Sequence, residues 1–105
     1  PINPQNITRP DMHSWKTPHL KNLARAFLSL KTEKDMLNFL RDLCTLDELE
    51  EFAMRWQVAQ LISRGISYRD IGKKVGVSTT TVSRVAQWLH HGEGGYKKAI
   101  EKQKT

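Results

Sequence analysis

Residues 67–89, SYRDIGKKVGVSTTTVSRVAQWL, constrain the fold more than any other part of the chain. Ser67 and Ser78 stand where the N-cap residues of two helices are expected, and Asp70 follows Ser67 at the spacing of a capping box. Between the two helices, Gly76 supplies the positive φ that a tight turn requires. This segment therefore predicts two helices joined by a glycine turn, which is the sequence form of a helix-turn-helix.

Apolar residues recur at helical spacing in both predicted helices, so each helix has one face for a core. We expect Val82 to point inward between the two helices. Gly72 is expected where the helices approach closely, because a side chain there would push them apart. The alternative is a pair of ordinary amphipathic helices that happen to be joined by a glycine turn.

The charge of the chain favours a polyanionic partner. There are 17 Lys and Arg against 11 Asp and Glu, for a formal net charge of +6. Residues 66–105 alone hold eight basic and three acidic side chains, so most of the excess lies at the helix-turn-helix end. An excess of basic side chains attracts nucleic acid without regard to its sequence. Any sequence specificity must therefore come from the helix-turn-helix.

Several other classes of protein are disfavoured by the sequence. Cys44 is the only cysteine, so no internal disulfide or cysteine metal cluster is expected, and it is predicted to be a small buried residue. No apolar run is long enough for a transmembrane helix, and a cytoplasmic location fits best. His90 and His91 at a helix end are expected to cap the helix rather than bind metal. No set of nucleophile, base and orienting residue is visible, so we do not expect an enzyme.

The chain is predicted to be all-α, with five to six helices. Residues 1–18 contain all four prolines and are expected to form a flexible arm. Residues 19–92 are predicted to form a helical domain with the helix-turn-helix at 67–90. Residues 93–105 either form a short basic helix or fray as a tail. The first helix is expected to begin at His19. The next two are expected to begin at Thr32 and Thr45, and each of these two threonines is followed three residues later by an acidic residue, as in a capping box.

The first three predicted helices have wide apolar faces for so small a domain. The apolar surface of their large side chains is more than a single layer of helices can bury. These side chains include Phe27, Phe39, Phe52 and Trp56. We therefore expect an intertwined homodimer, and a compact monomeric bundle is the alternative.

With these features, the chain resembles the bacterial tryptophan-repressor superfamily. The similarity runs from about His19 to His91 and is centred on CTLDELEEFAMRWQVAQLISRGISYRDIGKKVGVSTTTVSRVAQWL. The resemblance implies an intertwined helical dimer that binds operator DNA in response to a corepressor. The residues that match the family's ligand pocket are Thr45, Arg55, Thr81 and Arg84.

Two residues differ from the classical repressors of that superfamily. Val85 stands where those repressors have a glycine, and Trp88 stands where they have a small serine. We expect both side chains to fill the space that free tryptophan would occupy, with Trp88 buried. The chain is therefore similar to the tryptophan-repressor-related branch. Whether the chain binds a small-molecule corepressor stays open, and tryptophan is disfavoured as that corepressor.

The predicted function is that of a DNA-binding transcriptional regulator, expected to be a repressor, that binds a palindromic operator in double-stranded DNA as a homodimer. The helix that follows Ser78 is expected to enter the major groove. Short polar side chains there would contact base edges, Arg69 of the preceding helix would contact phosphate or guanine, and Lys73 and Lys74 would contact phosphates. The predicted DNA-contact residues are Ser67, Arg69, Lys73, Lys74, Ser78, Thr79, Thr80 and Ser83.

Three alternatives stay open. Arg84 either clamps a carboxylate ligand together with Arg55, or binds a phosphate or an acidic residue of the other subunit. Arg55 also has a structural competitor, because Glu51 lies one helical turn earlier and is expected to pair with it. The competing function is a helix-turn-helix-shaped module that binds proteins without specific DNA readout.

Overall fold

A computed structural model describes residues 14–104 as an all-α chain. The helices in order are α1 Pro18–Ser29, α2 Glu33–Leu43, α3 Leu46–Ser63, α4 Tyr68–Val75, α5 Thr79–His91 and α6 Gly95–Gln103. No strand occurs between residues 14 and 104, so the predicted fold class is confirmed. None of these described helices is both long enough and apolar enough to cross a lipid bilayer.

The two ends of the chain differ slightly from the predicted boundaries. Most of the predicted arm, residues 1–13, lies outside the described residues, and α1 already begins at Pro18 rather than at His19. Thr17 sets this boundary, because its Oγ1 accepts a hydrogen bond from the Leu20 amide at 3.2 Å. Proline suits the first helical position because it has no amide hydrogen to leave unpaired. Near the C-terminus, the helix predicted as one of two alternatives is observed as α6.

The chain divides into two compact units, one ending at Leu43 and one beginning at Cys44. In the first unit, the rings of Phe27 and Phe39 meet edge to face with their centroids 5.4 Å apart. Neither α1 nor α2 has a buried residue. Leu28 of α1 is 80% exposed and Leu37 of α2 is 56% exposed. A single chain therefore leaves the apolar faces of these two helices partly open to solvent.

The second unit is built around α3, and both ends of that helix are specified by sequence. The predicted capping box is confirmed, since Thr45 Oγ1 accepts from the Glu48 amide at 3.1 Å. In return, Glu48 Oε1 accepts from the Thr45 amide at 2.8 Å. After the last turn, Gly65 has a φ of 82°, a left-handed conformation that glycine adopts without steric cost.

The core of the second unit lies where α3 packs against α4, α5 and α6, with α5 also contacting α4 and α6. Its six clustered buried residues come from three helices: Val58, Ala59, Leu61, Ile71, Val82 and Val85. Cys44 is buried as predicted. Because α3 contributes half of the cluster, it is the platform that fixes α4 and α5 in place.

An aromatic stack joins α6 to α3. The rings of Trp56 and Tyr96 lie nearly parallel, with centroids 6.3 Å apart. Partial burial raises the pKa of the Tyr96 phenol above 10.0, and the nearby Arg55 charge opposes that rise. The neutral phenol therefore stabilises the fold fully below pH 10.0, and this contribution is lost as the pH rises through the folded-state pKa.

Candidate nucleic-acid interface

Helices α4 and α5 form the predicted helix-turn-helix. The Oγ of Ser67 accepts from the Asp70 amide at 3.2 Å and caps α4. Gly76 ends that helix with a φ of 85°, as the turn prediction required. Ser78 then caps α5, its Oγ accepting from the Thr81 amide at 3.1 Å. Each helix of the motif thus begins at a serine whose hydroxyl satisfies a first-turn amide.

The interior of the motif is fully packed. Ile71 of α4 and Val82 of α5 are both 0% exposed, which confirms Val82 as the inward side chain. Gly72 is also buried, and a Cβ at that position would lie 2.8 Å from the Val77 carbonyl oxygen. The glycine therefore allows the turn to pass directly over α4, and the motif is held as one unit.

The first turns of α5 present short polar side chains to solvent. Thr79, Thr80 and Ser83 are exposed, and within residues 14–104 no hydrogen bond occupies their hydroxyls. The capping role belongs to Ser78, whose hydroxyl also lies 3.2 Å from that of Thr81. Two of the three hydroxyls in the threonine run, those of Thr79 and Thr80, therefore take no part in capping α5.

Helix α4, which packs against α5, exposes three basic side chains. Arg69, Lys73 and Lys74 are all exposed, and none of them pairs with an acidic side chain in the described part of the chain. The amides at the N-termini of α4 and α5, next to Ser67 and Ser78, add partial positive charge. These exposed groups are polar or positively charged, which suits contact with a polyanion.

A cleft between α3 and α5 brings together three of the four predicted pocket residues. Its volume is about 370 Å³, and Arg55, Thr81 and Arg84 all line it. Thr45 is absent from the lining, and its hydroxyl caps the N-terminus of α3, ten residues before Arg55. The side chains that the sequence did not place in this cleft are Glu51, Met54 and Val77.

The prediction that Trp88 is buried is wrong. Its side chain is 43% exposed and lies on the wall of the cleft, whereas Val85 is 1% exposed and belongs to the core. The reason is helical geometry: Val82, Val85, Ala86 and Leu89 share the buried face of α5. Trp88 instead shares a face with Thr81 and Arg84, at positions i, i+3 and i+7. A cleft stays open beside the indole.

Arg55 is engaged by two neighbours. Its Nε donates to Glu51 Oε2 at 3.1 Å, which confirms the predicted ion pair. Its guanidinium carbon also lies 4.9 Å from the centroid of the Trp88 ring, in a cation–π contact. Arg84 has no acidic partner within residues 14–104, so it is the cleft's available cation.

The paired histidines His90 and His91 form the last turn of α5, where imidazole groups suit the helix C-terminus. Among the described residues, no group of three His, Cys, Asp or Glu side chains is arranged to hold a metal ion.

The sequence model of the Trp repressor protein family matches residues 18–104. The chain belongs to the Trp repressor protein family. It is 36% identical over 85 residues to the uncharacterized protein YerC of Bacillus subtilis strain 168, covering 81% of this chain and 82% of YerC. Membership of this family places the chain among helix-turn-helix DNA-binding regulators of transcription rather than in an enzyme family.

Solved structures agree with this assignment. A TrpR-like protein from Eubacterium eligens superposes with a TM-score of 0.82 at 34% identity, covering 89% of this chain and 96% of that one. A candidate Trp repressor from Staphylococcus aureus superposes with a TM-score of 0.81 at 31% identity, covering 89% of this chain and 93% of that one. Both are similar to this chain over nearly their whole length.

Proposed function

We propose that this chain is a homodimeric, sequence-specific repressor that acts on DNA in the cytoplasm through α4 and α5. The observation that carries the proposal is the surface of the motif. Thr79, Thr80 and Ser83 expose unoccupied hydroxyls on a helix whose opposite face is locked into the core. A rigid helix that presents short polar side chains beside basic ones matches what major-groove recognition requires.

Each group on this surface has a role in the proposal. The threonine hydroxyls donate to or accept from base edges, and their methyl groups contact thymine. Arg69, Lys73 and Lys74 bind phosphates and set the register of the protein on the duplex. Because the hydroxyl side chains of Thr80 and Ser83 are short, part of the readout passes through ordered water and DNA shape.

The state of the cleft leads us to propose DNA binding without added tryptophan. Arg55 is already held by Glu51 and covered by the Trp88 ring. Arg84 and Thr81 remain as the groups that would bind a small anionic effector. An effector of this kind would adjust the regulator's affinity rather than create its DNA surface.

Binding-site selection from random duplex DNA, at fixed salt with and without L-tryptophan, tests the proposed function. We expect the same palindromic motif in both arms. A motif recovered only with tryptophan would overturn our inference about Arg55 and Trp88. No motif, with only salt-sensitive binding, would contradict specific readout and favour the protein-binding module.

Exposed apolar side chains in both units support the homodimer. The apolar side chains that one chain leaves exposed include Leu28, Leu37, Leu43, Leu46 and Phe52. Each buried side chain of this size stabilises an assembly by about 1.5–3 kcal/mol. A second copy of the chain is the proposed partner because helix-turn-helix dimers place two recognition helices one DNA turn apart, which requires a palindromic site.

Placing a charge on this surface should separate the dimer. We expect Leu28→Glu to shift the mass measured by sedimentation equilibrium from twice 12.1 kDa toward 12.1 kDa at micromolar concentration. The reason is that a carboxylate cannot be buried in an apolar interface without losing its hydration. Asn22→Glu adds the same charge to the opposite face of α1 and should leave the dimer intact. A wild-type mass of 12.1 kDa would contradict the homodimer.

A further inference from the structure

The contact between Arg55 and Trp88 crosses from α3 to α5. Arg55 lies in the middle of α3, and its guanidinium carbon is 4.9 Å from the centroid of the Trp88 ring on α5. Glu51, one turn earlier on α3, holds the guanidinium through a 3.1 Å hydrogen bond. We refer to Glu51, Arg55 and Trp88 together as the α3–α5 clamp.

The clamp restricts α5 on a side that the core does not reach. The core contacts of α5 run along Val82, Val85, Ala86 and Leu89. Trp88 projects about 100° away from the middle of that stripe, given 100° of rotation per residue. Because these core contacts lie along one stripe, a contact on another side of α5 adds resistance to rotation of the helix about its own axis.

Rotation of α5 bears directly on DNA recognition. Thr80 and Ser83 lie three residues apart and share one exposed face of this helix. A small rotation of α5 would move both hydroxyls away from the base edges that they are proposed to contact. Hydrogen bonds weaken steeply with misalignment, so the orientation of α5 affects specific affinity more than global stability.

We propose that Trp88 is a positioning residue for the recognition helix, acting through Arg55. The indole ring of Trp88 contacts the Arg55 guanidinium through its face. The hydrogen bond from Arg55 to Glu51 holds the guanidinium on α3, so the contact opposes movement of α5. This inference rests on the proposed function, since it assigns a role in DNA recognition. The role in holding α5 is a property of the free protein and is measurable without DNA.

The first experiment measures affinity for the duplex recovered by selection. We expect Trp88→Ala to weaken specific binding about five- to thirtyfold, the range of one cation–π contact from an exposed to a desolvated site. Trp88→Phe keeps an aromatic face and should retain most of the affinity. Arg55→Met should cost about as much as Trp88→Ala, and the double variant should lose little more than either single variant.

The second experiment measures amide hydrogen exchange in the DNA-free protein. In Trp88→Ala we expect the amides of α5 to exchange about fivefold faster, with the thermal midpoint lowered by no more than about 4–8 °C, the shift that a fivefold change implies. Millimolar free indole should restore both the exchange protection and the DNA affinity of this variant. His90→Ala, an exposed change in the last turn of α5, is the matched control and should alter neither measurement.

The results separate the two proposals. Faster exchange in Trp88→Ala, reversed by indole, supports the clamp even if selection returns no DNA motif. Unchanged exchange and unchanged affinity in Trp88→Ala overturn it, whatever the wild-type protein binds. A fall in thermal midpoint that accounts for the whole loss of affinity, without rescue by indole, would also overturn it.

Discussion

Replacing Gly72 with alanine is expected to lower the free energy of unfolding by about 1–2 kcal/mol. The added Cβ would lie 2.8 Å from the Val77 carbonyl oxygen, and that oxygen belongs to the backbone of the turn. Alanine is favoured over glycine by about 1 kcal/mol in a helix interior, but overpacking costs about 1–3 kcal/mol and a backbone clash lies at the upper end. Thermal unfolding at matched protein concentration should show a midpoint lower by roughly 5–15 °C.

A second glycine provides the matched control. Gly95 opens α6, and a Cβ at that position meets nothing within 4 Å. Gly95→Ala should therefore leave the unfolding midpoint unchanged or raise it slightly. The two variants make the same chemical change, so a difference between them isolates the close approach at Gly72. Equal midpoints for the two variants would mean that the turn has room to move away from α4.

The elements with local sequence signals were predicted well. The starts of α3, α4 and α5 follow from serine and threonine caps, and the ends of α3 and α4 follow from Gly65 and Gly76. These signals act through hydrogen bonds within one helical turn, so they are visible in the sequence without knowledge of the tertiary structure. The burial of Val82 also followed from periodicity alone, because the apolar stripe of α5 has a single continuous core to face.

The position of Trp88 was predicted incorrectly because two arguments pointed in opposite directions. Its size and apolar character suggested burial, but its register puts it beside Thr81 and Arg84 rather than on the core stripe. The spacing i, i+3, i+7 of these three residues was available in the sequence. What the sequence lacked was the position of α3, which brings Arg55 over the ring. A contact between helices that are distant in sequence depends on the packing angle, which no local pattern specifies.

Replacing Lys73 and Lys74 together with glutamine is expected to weaken binding to the selected duplex and to unrelated duplex by about the same factor. Both lysines are exposed in the last turn of α4, and contacts from such side chains to phosphates carry no sequence information. With about 1 kcal/mol for each contact, the pair should cost roughly 30-fold in affinity. The slope of log affinity against log salt should become shallower by about 2, which titrations at several salt concentrations measure.

Two further variants show whether this loss comes from contacts or from net charge. Lys97→Gln with Lys98→Gln removes the same charge from α6, so a matching change in salt slope would mean that the field of the whole chain attracts DNA. Thr80→Ala with Ser83→Ala removes no charge and should leave the slope and the unrelated duplex unaffected. Its loss should fall on the selected duplex alone, by about 1–3 kcal/mol for each base pair no longer read. If the threonine and lysine variants instead weaken both duplexes equally, α5 contributes no base readout and the specific-repressor proposal fails.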